Sequence, residues 1–342
     1  MWKYIFRRLV QSIPTLLGIT VLSFLIITAA PGGPTAAISF EPGVTPERRE
    51  RLERQLGVND PWIVQYTHWL IGDDWRQRDL DGDGTLDAYG QRKGILRGDF
   101  GNSFFRSRRP VTDLIAEVTI PTLELTGAAL LFGLLFGIPV GIFSAIYRGS
   151  WFDESSRIMA VIFNAVPAFW LGLILILVFG SWLEVLPLSG RCAPSLLEGC
   201  PPLWGRLEYL LLPTLVLGTG GLAGYSRYMR TAMLDVIHQD YMRTAHAKGL
   251  DNRSVWFKHG TRNALIPIAT FLGPALTGLI GGAVVTESVF SWPGLGRAIV
   301  GATIALDYPF VMAVVVISGV ASIVGYLISD MLYALLDPRI RF

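Results

Sequence analysis

Long apolar stretches separated by short polar segments constrain the fold of this chain more than any other feature. A helix needs roughly 20 apolar residues to cross a hydrocarbon core about 30 Å thick. Six stretches meet this requirement, near residues 9–30, 120–147, 157–182, 208–228, 264–286 and 309–335. Only 16% of the residues are charged, against roughly 25% in soluble domains. The sequence therefore predicts an all-α, polytopic membrane protein with six transmembrane helices.

The first apolar stretch resembles a secretory signal peptide in one respect. Lys3, Arg7 and Arg8 precede an apolar run that ends in Ala29 and Ala30. The apolar region of a signal peptide has roughly 7–15 residues, whereas this run is closer in length to a membrane span. We therefore predict an uncleaved first transmembrane helix.

Basic residues in the short loops predict the orientation, because Lys and Arg are enriched on the cytoplasmic side. Six spans place four basic segments on one side: residues 3–8, the turn with Arg148 and Arg157, the loop at 227–263, and the tail with Arg339 and Arg341. Both termini are expected in the cytoplasm. The loop at 31–118 is expected outside, although it is too long to count under this rule. The net charge of +2 gives no indication of a nucleic-acid partner.

The only two cysteines, Cys192 and Cys200, share the second external loop, "SGRCAPSLLEGCPP". Two cysteines eight residues apart in a loop rich in Pro and Gly are expected to pair in an oxidising compartment. Two free thiols are the alternative. Metal binding is disfavoured because no histidine lies nearby.

The spans contain few ionisable residues. Glu124 lies near the external end of the second span, Asp330 near the cytoplasmic end of the sixth, and Asn164 well inside the third. Carriers coupled to protons or sodium usually keep such groups near mid-membrane. Glu124 is interpreted either as a membrane-edge residue or as a contact to solute. The pattern indicates a helical bundle without charge-coupling chemistry of its own.

The largest cytoplasmic loop, residues 235–268, contains a predicted short helix over 240–248. Asp240 suits its N-terminal end, and Gly249 can adopt the left-handed conformation that ends a helix. Small side chains at Thr244, Ala245 and Ala247 would let the backbone of another protein approach. The alternative is a solvated basic loop that only sets the topology.

Within this loop, "YMRTAHAKGL…RNALIPI" resembles the coupling loop of binding-protein-dependent ABC importer permeases, especially the dipeptide/oligopeptide type. Matching blocks follow the same order along nearly the whole chain: "RRLVQSIPTLLGITVLSFLI", "QLGVNDPWIVQYTHWL", "GDFGNSF", "IPTLELTGAALLFGLLFGIPVGI", "ESVFSWPGLGRAIV" and "DPRIRF". With Gly249 on the family glycine, Arg243, Thr244 and Ala245 occupy the Glu-Ala-Ala positions. The second alanine and the glycine match literally.

The resemblance implies a type I ABC permease fold in the cytoplasmic membrane of a prokaryote. The N-terminus and first span would occupy residues 1–30, the external loop region 31–118, and a five-helix core 119–342, with the coupling loop at 229–263. Implied partners are a homologous second permease, two ATP-binding subunits that bind ATP and Mg²⁺, and an extracytoplasmic solute-binding protein. The implied ATPase contacts are Asp240, Tyr241, Arg243, Thr244, Ala245, Ala247, Lys248 and Gly249.

The chain lacks the phosphate-binding motif G-x-x-x-x-G-K-[ST], so we do not expect it to hydrolyse ATP or to need a catalytic cofactor. The implied function is import of peptides or solutes of similar size. Oligosaccharides and metal complexes are alternatives within the family. A membrane enzyme or scaffold with an external calcium module is the alternative from another class. The segment "VFSWPGLG" at 289–296, with Trp292, Pro293 and Gly294, either shapes the external docking pocket or is a structural turn.

The external loop region begins with a predicted amphipathic helix over 45–57 and contains an insertion at 73–94. In the insertion, "DLDGDGTLDAY" matches an EF-hand loop at five ligand positions: Asp79, Asp81, Asp83, the Thr85 carbonyl and Asp87. The twelfth position has Gly90 instead of a bidentate Glu, and Asp73 or Asp74 could supply the missing carboxylate. We predict Ca²⁺ that orders the external rim and is not transported. A disordered acidic loop and a metal-free docking patch are the alternatives.

Overall fold

A computed structural model describes residues 2–29, 53–54, 57, 60–79, 86, 88–104, 108–193 and 199–336. In chain order its helices are α1 (Trp2–Ala29), α2 (Trp62–Ile71), α3 (Val111–Ile146), α4 (Trp151–Ala165), α5 (Ala168–Leu175), α6 (Leu207–Ile237), α7 (Asp240–Ala247), α8 (Thr261–Ala264), α9 (Ile266–Gly281), α10 (Val284–Val289), α11 (Leu295–Ile304) and α12 (Tyr308–Leu336). The two-residue strands β1 (Gln77–Arg78) and β2 (Ala88–Tyr89) form an antiparallel hairpin. The predicted all-α class is confirmed apart from this hairpin.

Short segments of two other helix types, the π-helix and the 3₁₀ helix, occur beside the α-helices. Wider π-helical turns cover Ile176–Trp182, which continues α5, and Ser254–Gly260, which leads into α8. Tighter 3₁₀ turns cover Ile95–Arg97 and Leu203–Arg206.

Within the described residues, five helices are long and apolar enough to cross a membrane: Tyr4–Ala29, Val111–Ile146, Leu203–Ile237, Ile266–Val289 and Tyr308–Leu332. The α4–α5 pair makes a sixth span if it is counted as one, with a bend of 100° at the break. Pro167 causes the bend, because the residue before a proline is pushed out of the helical region. Val166 accordingly has an extended ψ of 123°. The prediction of six spans is confirmed if α4 and α5 are counted as one span.

Contacts between Cα atoms divide the chain into two compact units. The first comprises Met1–Phe6, Thr119–Arg297 and Ala321–Phe342, and the second comprises Arg7–Val118 and Ala298–Val320. The three-part division of the sequence into 1–30, 31–118 and 119–342 stays a prediction.

In the first unit, α3 and α6 approach each other closely along a row of glycines on α3. A Cβ atom would lie 2.9 Å from the Leu222 carbonyl oxygen if added at Gly137, and 2.5 Å from the Ser226 carbonyl oxygen if added at Gly141. Small residues at four-residue spacing allow such contact between membrane helices. A core that includes Ile142, Met229, Met233, Ala264 and Ile268 fills the space beside this seam.

In the second unit, α1 and α2 are held together by a hydrogen bond of 2.8 Å between the Thr20 and Tyr66 hydroxyls. Asp307 fixes the segment before α3, because its carboxylate accepts hydrogen bonds from the Ser103 hydroxyl at 2.5 Å and from the Phe104 backbone N–H at 3.0 Å. Asp307 is 2% exposed.

Candidate functional sites

The short helix predicted over 240–248 is present as α7, and its end is built as expected. Gly249 has a left-handed φ of +74°. The Lys248 N–H donates to the Thr244 carbonyl at 3.1 Å, and the Gly249 N–H donates to the His246 carbonyl at 2.9 Å. Because a non-glycine residue is strained at this φ, Gly249 ends the helix cleanly. The helix itself is therefore confirmed.

The inner side of α7 packs against the chain's own core. Met242 is 1% exposed, Ala245 is 7% exposed, and both lie against Val255. The expectation that Ala245 lowers the outer surface for a partner is wrong, because its methyl group points inward. Residues three apart lie on the same side of a helix, so Ala245 shares the buried side with Met242.

The outer side of α7 is exposed in the described part of the chain. The exposed members of the predicted coupling set are Asp240, Tyr241, Arg243, Thr244, Ala247, Lys248 and Gly249. Arg243 forms an ion pair of 3.4 Å with Asp240, and both side chains are mostly exposed. An exposed pair of this kind contributes little to stability. The side is thus available to a partner and is low in bulk at Thr244 and Ala247.

The side chains of Met233 on α6 and Met242 on α7 both pack against Gly260. A Cβ atom at Gly260 would lie 2.8 Å from Met233 Cε of α6 and 3.2 Å from Met242 Cε of α7. Val236, near the end of α6, joins the same cluster. Close packing of this type transmits displacement. The sequence did not indicate this link, because Gly260 lies in a loop with no helical pattern.

A buried ion pair joins the adjoining ends of α3, α4 and α6. Arg230 donates to the Asp153 carboxylate from Nε at 2.6 Å and from Nη2 at 2.8 Å. The same carboxylate accepts from the Ser144 hydroxyl at 2.5 Å and from the Gly149 N–H at 2.9 Å. Asp153 is 2% exposed. Sequence reasoning missed this pair, although Ser150 three residues before Asp153 is a helix-start signal and does cap α4.

Glu124 has two arginine partners in this structure. Its carboxylate accepts from Arg191 at 2.9 Å and 2.6 Å and from Arg206 at 2.6 Å. The Glu124 side chain is 17% exposed. The cluster ties the Arg191 loop to α3. Glu124 thus forms ion pairs with two arginines of the chain. Its contact with solute stays a prediction.

The segment "ESVFSWPGLG" folds around Glu287, which sequence reasoning overlooked. Glu287 is 0% exposed and accepts from the Thr122 hydroxyl at 2.8 Å and from the Arg297 N–H at 2.8 Å. A Cβ atom at Gly294 would overlap the Glu287 carboxylate. Only glycine fits at position 294, which accounts for the glycine that follows the Trp-Pro pair.

Trp292 has a packing role in this structure. Its indole ring is 0% exposed, and Nε1 donates to the Pro121 carbonyl at 2.8 Å. Gly294 is also buried, whereas Pro293 is exposed. Of the two interpretations of this segment, a structural turn accounts for Trp292 and Gly294. A docking contact remains a prediction for Pro293.

Cys192 and Cys200 are joined as a disulfide in the structure, with Cα atoms 5.6 Å apart. This separation lies within the usual range for a disulfide. The pairing stays a prediction, and its chemical test is thiol counting under denaturing conditions.

Of the calcium-loop residues, the structure describes Asp79, whereas Asp81, Asp83, Thr85 and Asp87 lie outside the described residues. Within the described part of the chain there is no group of three or more His, Cys, Asp or Glu side chains that could hold a metal ion. The helix predicted over 45–57 is described only at Glu53, Arg54 and Gly57. The calcium prediction therefore stays a prediction.

The two extra carboxylates considered for calcium have other partners. Asp73 is 2% exposed and accepts from the Arg92 N–H at 3.0 Å. Asp74 forms an ion pair of 2.6 Å with Arg97, and the Arg97 guanidinium lowers the pKa of the Asp74 carboxyl below its ordinary value. A Cβ atom at Gly90 would overlap the Asp73 carboxylate. Glycine at the twelfth loop position is thus required by its contact with Asp73.

The long apolar helices define a multi-pass membrane protein. The sequence pattern of the family described as "Binding-protein-dependent transport system inner membrane component" matches residues 137–342. The pattern for the N-terminal part of such components matches residues 1–126.

Full-length relatives agree with this assignment. The oligopeptide transport system permease protein AppB of Bacillus subtilis (strain 168) is 41% identical over 342 residues, covering 100% of both chains. The dipeptide transport system permease protein DppB of Escherichia coli (strain K12) is 36% identical, covering 100% of this chain and 99% of DppB. The glutathione transport system permease protein GsiC of Salmonella choleraesuis (strain SC-B67) is 36% identical over 100% of both chains.

The chain belongs to this family and is a permease subunit of the dipeptide/oligopeptide type of ABC importer. It is therefore a multi-pass inner-membrane transport subunit. The resemblance inferred from the sequence is confirmed, and the alternative of a membrane enzyme or scaffold is not favoured.

Proposed function

We propose that this chain and a homologous second permease enclose a transmembrane path for peptides or solutes of similar size. α7 carries the proposal: its outer side is exposed, while Met242 on its inner side and Met233 of α6 both pack against Gly260. A helix built in this way can convert a push from outside the chain into movement of a span. Two ATP-binding subunits, which hold ATP and Mg²⁺, supply that push in the cytoplasm.

The Gly260 contact suggests how the push reaches the membrane. Closure of the ATP-binding subunits displaces α7 by its outer side. Since Met242 and Met233 meet over Gly260, the displacement passes to α6. The Arg230–Asp153 pair then carries it to α4. The chain's own residues thus form a continuous packed route from α7 to two spans.

The orientation follows from the basic loops. Both termini, α7 and the Asp153–Arg230 pair lie toward the cytoplasm, and the region 31–118 lies outside. A solute-binding protein docks on that outer side, where the exposed Pro293 and the loop closed by Cys192 and Cys200 are candidate contacts. Ca²⁺ held by Asp79, Asp81, Asp83, Thr85 and Asp87 would order the neighbouring rim.

The cargo class rests on the relatives. AppB, DppB and GsiC are named for oligopeptide, dipeptide and glutathione transport, which favours peptides over oligosaccharides or metal complexes. The described spans contain Asn164 and few charged groups in their interior. Selection among peptides therefore falls mainly to the binding protein.

Co-purification tests the proposal. The chain is affinity-tagged, expressed with the genes encoded beside its own, and extracted in mild detergent. We expect recovery of a second permease and two ATP-binding subunits in equal proportion to this chain, and peptide-stimulated ATP hydrolysis when the binding protein is added. Recovery of the chain alone, with no ATPase activity, would contradict the proposal.

A further inference from the structure

A cavity of about 480 Å³ opens between α4 and α6 on the side of the Asp153–Arg230 pair. One wall is apolar and includes Ile158, Val161 and Ile162. The rest of the lining includes three cations, Arg157, Arg227 and Arg230, and the carboxylate of Glu154. The cavity thus combines apolar side chains with an excess of positive charge.

The three arginines differ in whether an acidic side chain neutralises their charge. Arg230 binds the Asp153 carboxylate, and Arg157 forms an ion pair of 2.5 Å with Glu154. Arg227 is exposed, and among the described residues its guanidinium has no ion-pair or hydrogen-bond partner. An unpaired cation in a membrane-spanning helix is costly unless an anion or water meets it. The guanidinium of Arg227 therefore faces the cavity without an acidic partner among the described residues.

Aromatic side chains indicate where the cavity lies relative to the bilayer surface. Tyr147 and Trp151, at the turn between α3 and α4, are 55% and 85% exposed. Exposed Tyr and Trp side chains favour the membrane–water boundary. Arg157 follows Trp151 by six residues, which is about 9 Å of helix. The cavity thus begins about 9 Å from this boundary, near the first acyl carbons.

We propose that this cavity binds the headgroup of an anionic phospholipid. The phosphodiester pairs with Arg227, and the acyl chain follows Ile158, Val161 and Ile162. The orientation given above places the site in the cytoplasmic leaflet, whose surface is negative. A free phosphate ion shares the charge chemistry but leaves the apolar wall uncovered. The lipid is a bound component of the importer and not its cargo.

The test uses the importer purified with its partner subunits and measures lipid retention by native mass spectrometry. Phosphatidylglycerol, phosphatidylcholine and inorganic phosphate are added in separate samples. We expect retained phosphatidylglycerol, and about five-fold weaker retention in Arg227→Gln, since one interfacial cation contributes roughly that factor. Arg227→Lys should retain the lipid nearly as well as the unmodified chain. Lys258→Gln removes an exposed charge elsewhere and should change nothing.

Several results would overturn the proposal. Equal retention of phosphatidylglycerol by Arg227→Gln and the unmodified chain would show that the cavity is not the site. Equal retention of phosphatidylcholine would show that the cavity does not recognise the headgroup by its charge. Displacement of the lipid by millimolar inorganic phosphate would point to a free-anion site. Efficient cross-linking from Arg227→Cys to the second permease would show that a protein covers the cavity. Lipid retention is independent of peptide uptake, so either proposal can fail alone.

Discussion

Thr122 and Glu287 lie 165 residues apart in sequence, and the Thr122 hydroxyl donates to Glu287 Oε1 at 2.8 Å. The same hydroxyl oxygen accepts from the Leu295 N–H at 2.7 Å. Glu287 therefore joins α3 to the first turn of α11. With Trp292 bonded to Pro121, this contact closes "ESVFSWPGLG" into a rigid unit.

Replacing Glu287 by Gln should destabilise the permease. An amide has only one acceptor oxygen, so either Thr122 or the Arg297 N–H loses its partner in a buried site, at a cost of roughly 1–3 kcal/mol. The measurement is thermal unfolding of the purified importer in detergent. Glu208→Gln is the matched control, since Glu208 is exposed. Equal unfolding temperatures for the two variants would contradict the assigned role.

The Asp153–Arg230 pair should show strong coupling between its members. Removing one member leaves a buried charge unpaired, which costs about 3–5 kcal/mol. Asp153→Asn and Arg230→Gln should therefore each be severe, and the double variant should cost clearly less than their sum. A double-mutant cycle on thermal or denaturant unfolding measures this. Additive effects would mean that the two side chains act independently.

The close packing of α3 against α6 at Gly141 should be disrupted by a single added methyl group. Gly141→Ala places a Cβ atom 2.5 Å from the Ser226 carbonyl oxygen, and overpacking of this kind costs roughly 1–3 kcal/mol. Gly127→Ala is a control in the same helix, because a Cβ atom there has no heavy atom within 4 Å. The yield of folded importer after membrane extraction is the readout. If Gly127→Ala is equally damaging, helix propensity rather than packing would be the cause.

The sequence predicted the features that depend on local pattern. Apolar length identified the spans, the Gly249 signal identified the end of α7, and the six family blocks identified the importer type. These features are set by neighbouring residues, so a single sequence is sufficient to find them. The break at Pro167 and its 100° bend were not predicted, since the apolar stretch at 157–182 gave one continuous span.

Contacts between distant segments could not be predicted. Arg230 meets Asp153 across 77 residues, and Glu287 meets Thr122 across 165. No local pattern around any of these four residues indicates its partner. Ala245 was assigned to the outer side of α7 for its small size, whereas the three-residue spacing from Met242 places it inward. Sequence shows which residues are small, but the partner surface decides which side is buried.

The calcium prediction can be tested on the insertion directly. Asp81→Ala combined with Asp83→Ala removes two of the proposed ligands and should abolish Ca²⁺ binding, measured by calorimetry on the purified importer with the metal alone. Peptide uptake should fall if the ordered rim supports docking. Asp99→Ala, outside the proposed ligand set, serves as control. Unchanged affinity in the double variant would rule out this site, whatever the effect on uptake.

The outer side of α7 should be required for coupling but not for folding. Ala247→Trp adds bulk to an exposed position, so the chain should fold normally while the ATP-binding subunits dissociate and uptake is lost. Ala245→Trp places the same bulk where the side chain is 7% exposed, and it should lower thermal stability and yield instead. The two variants are compared by thermal unfolding, subunit recovery and ATP-driven peptide uptake. Normal uptake with Ala247→Trp would place the ATPase contact elsewhere on the chain, and loss of folding would show that this side also packs within it.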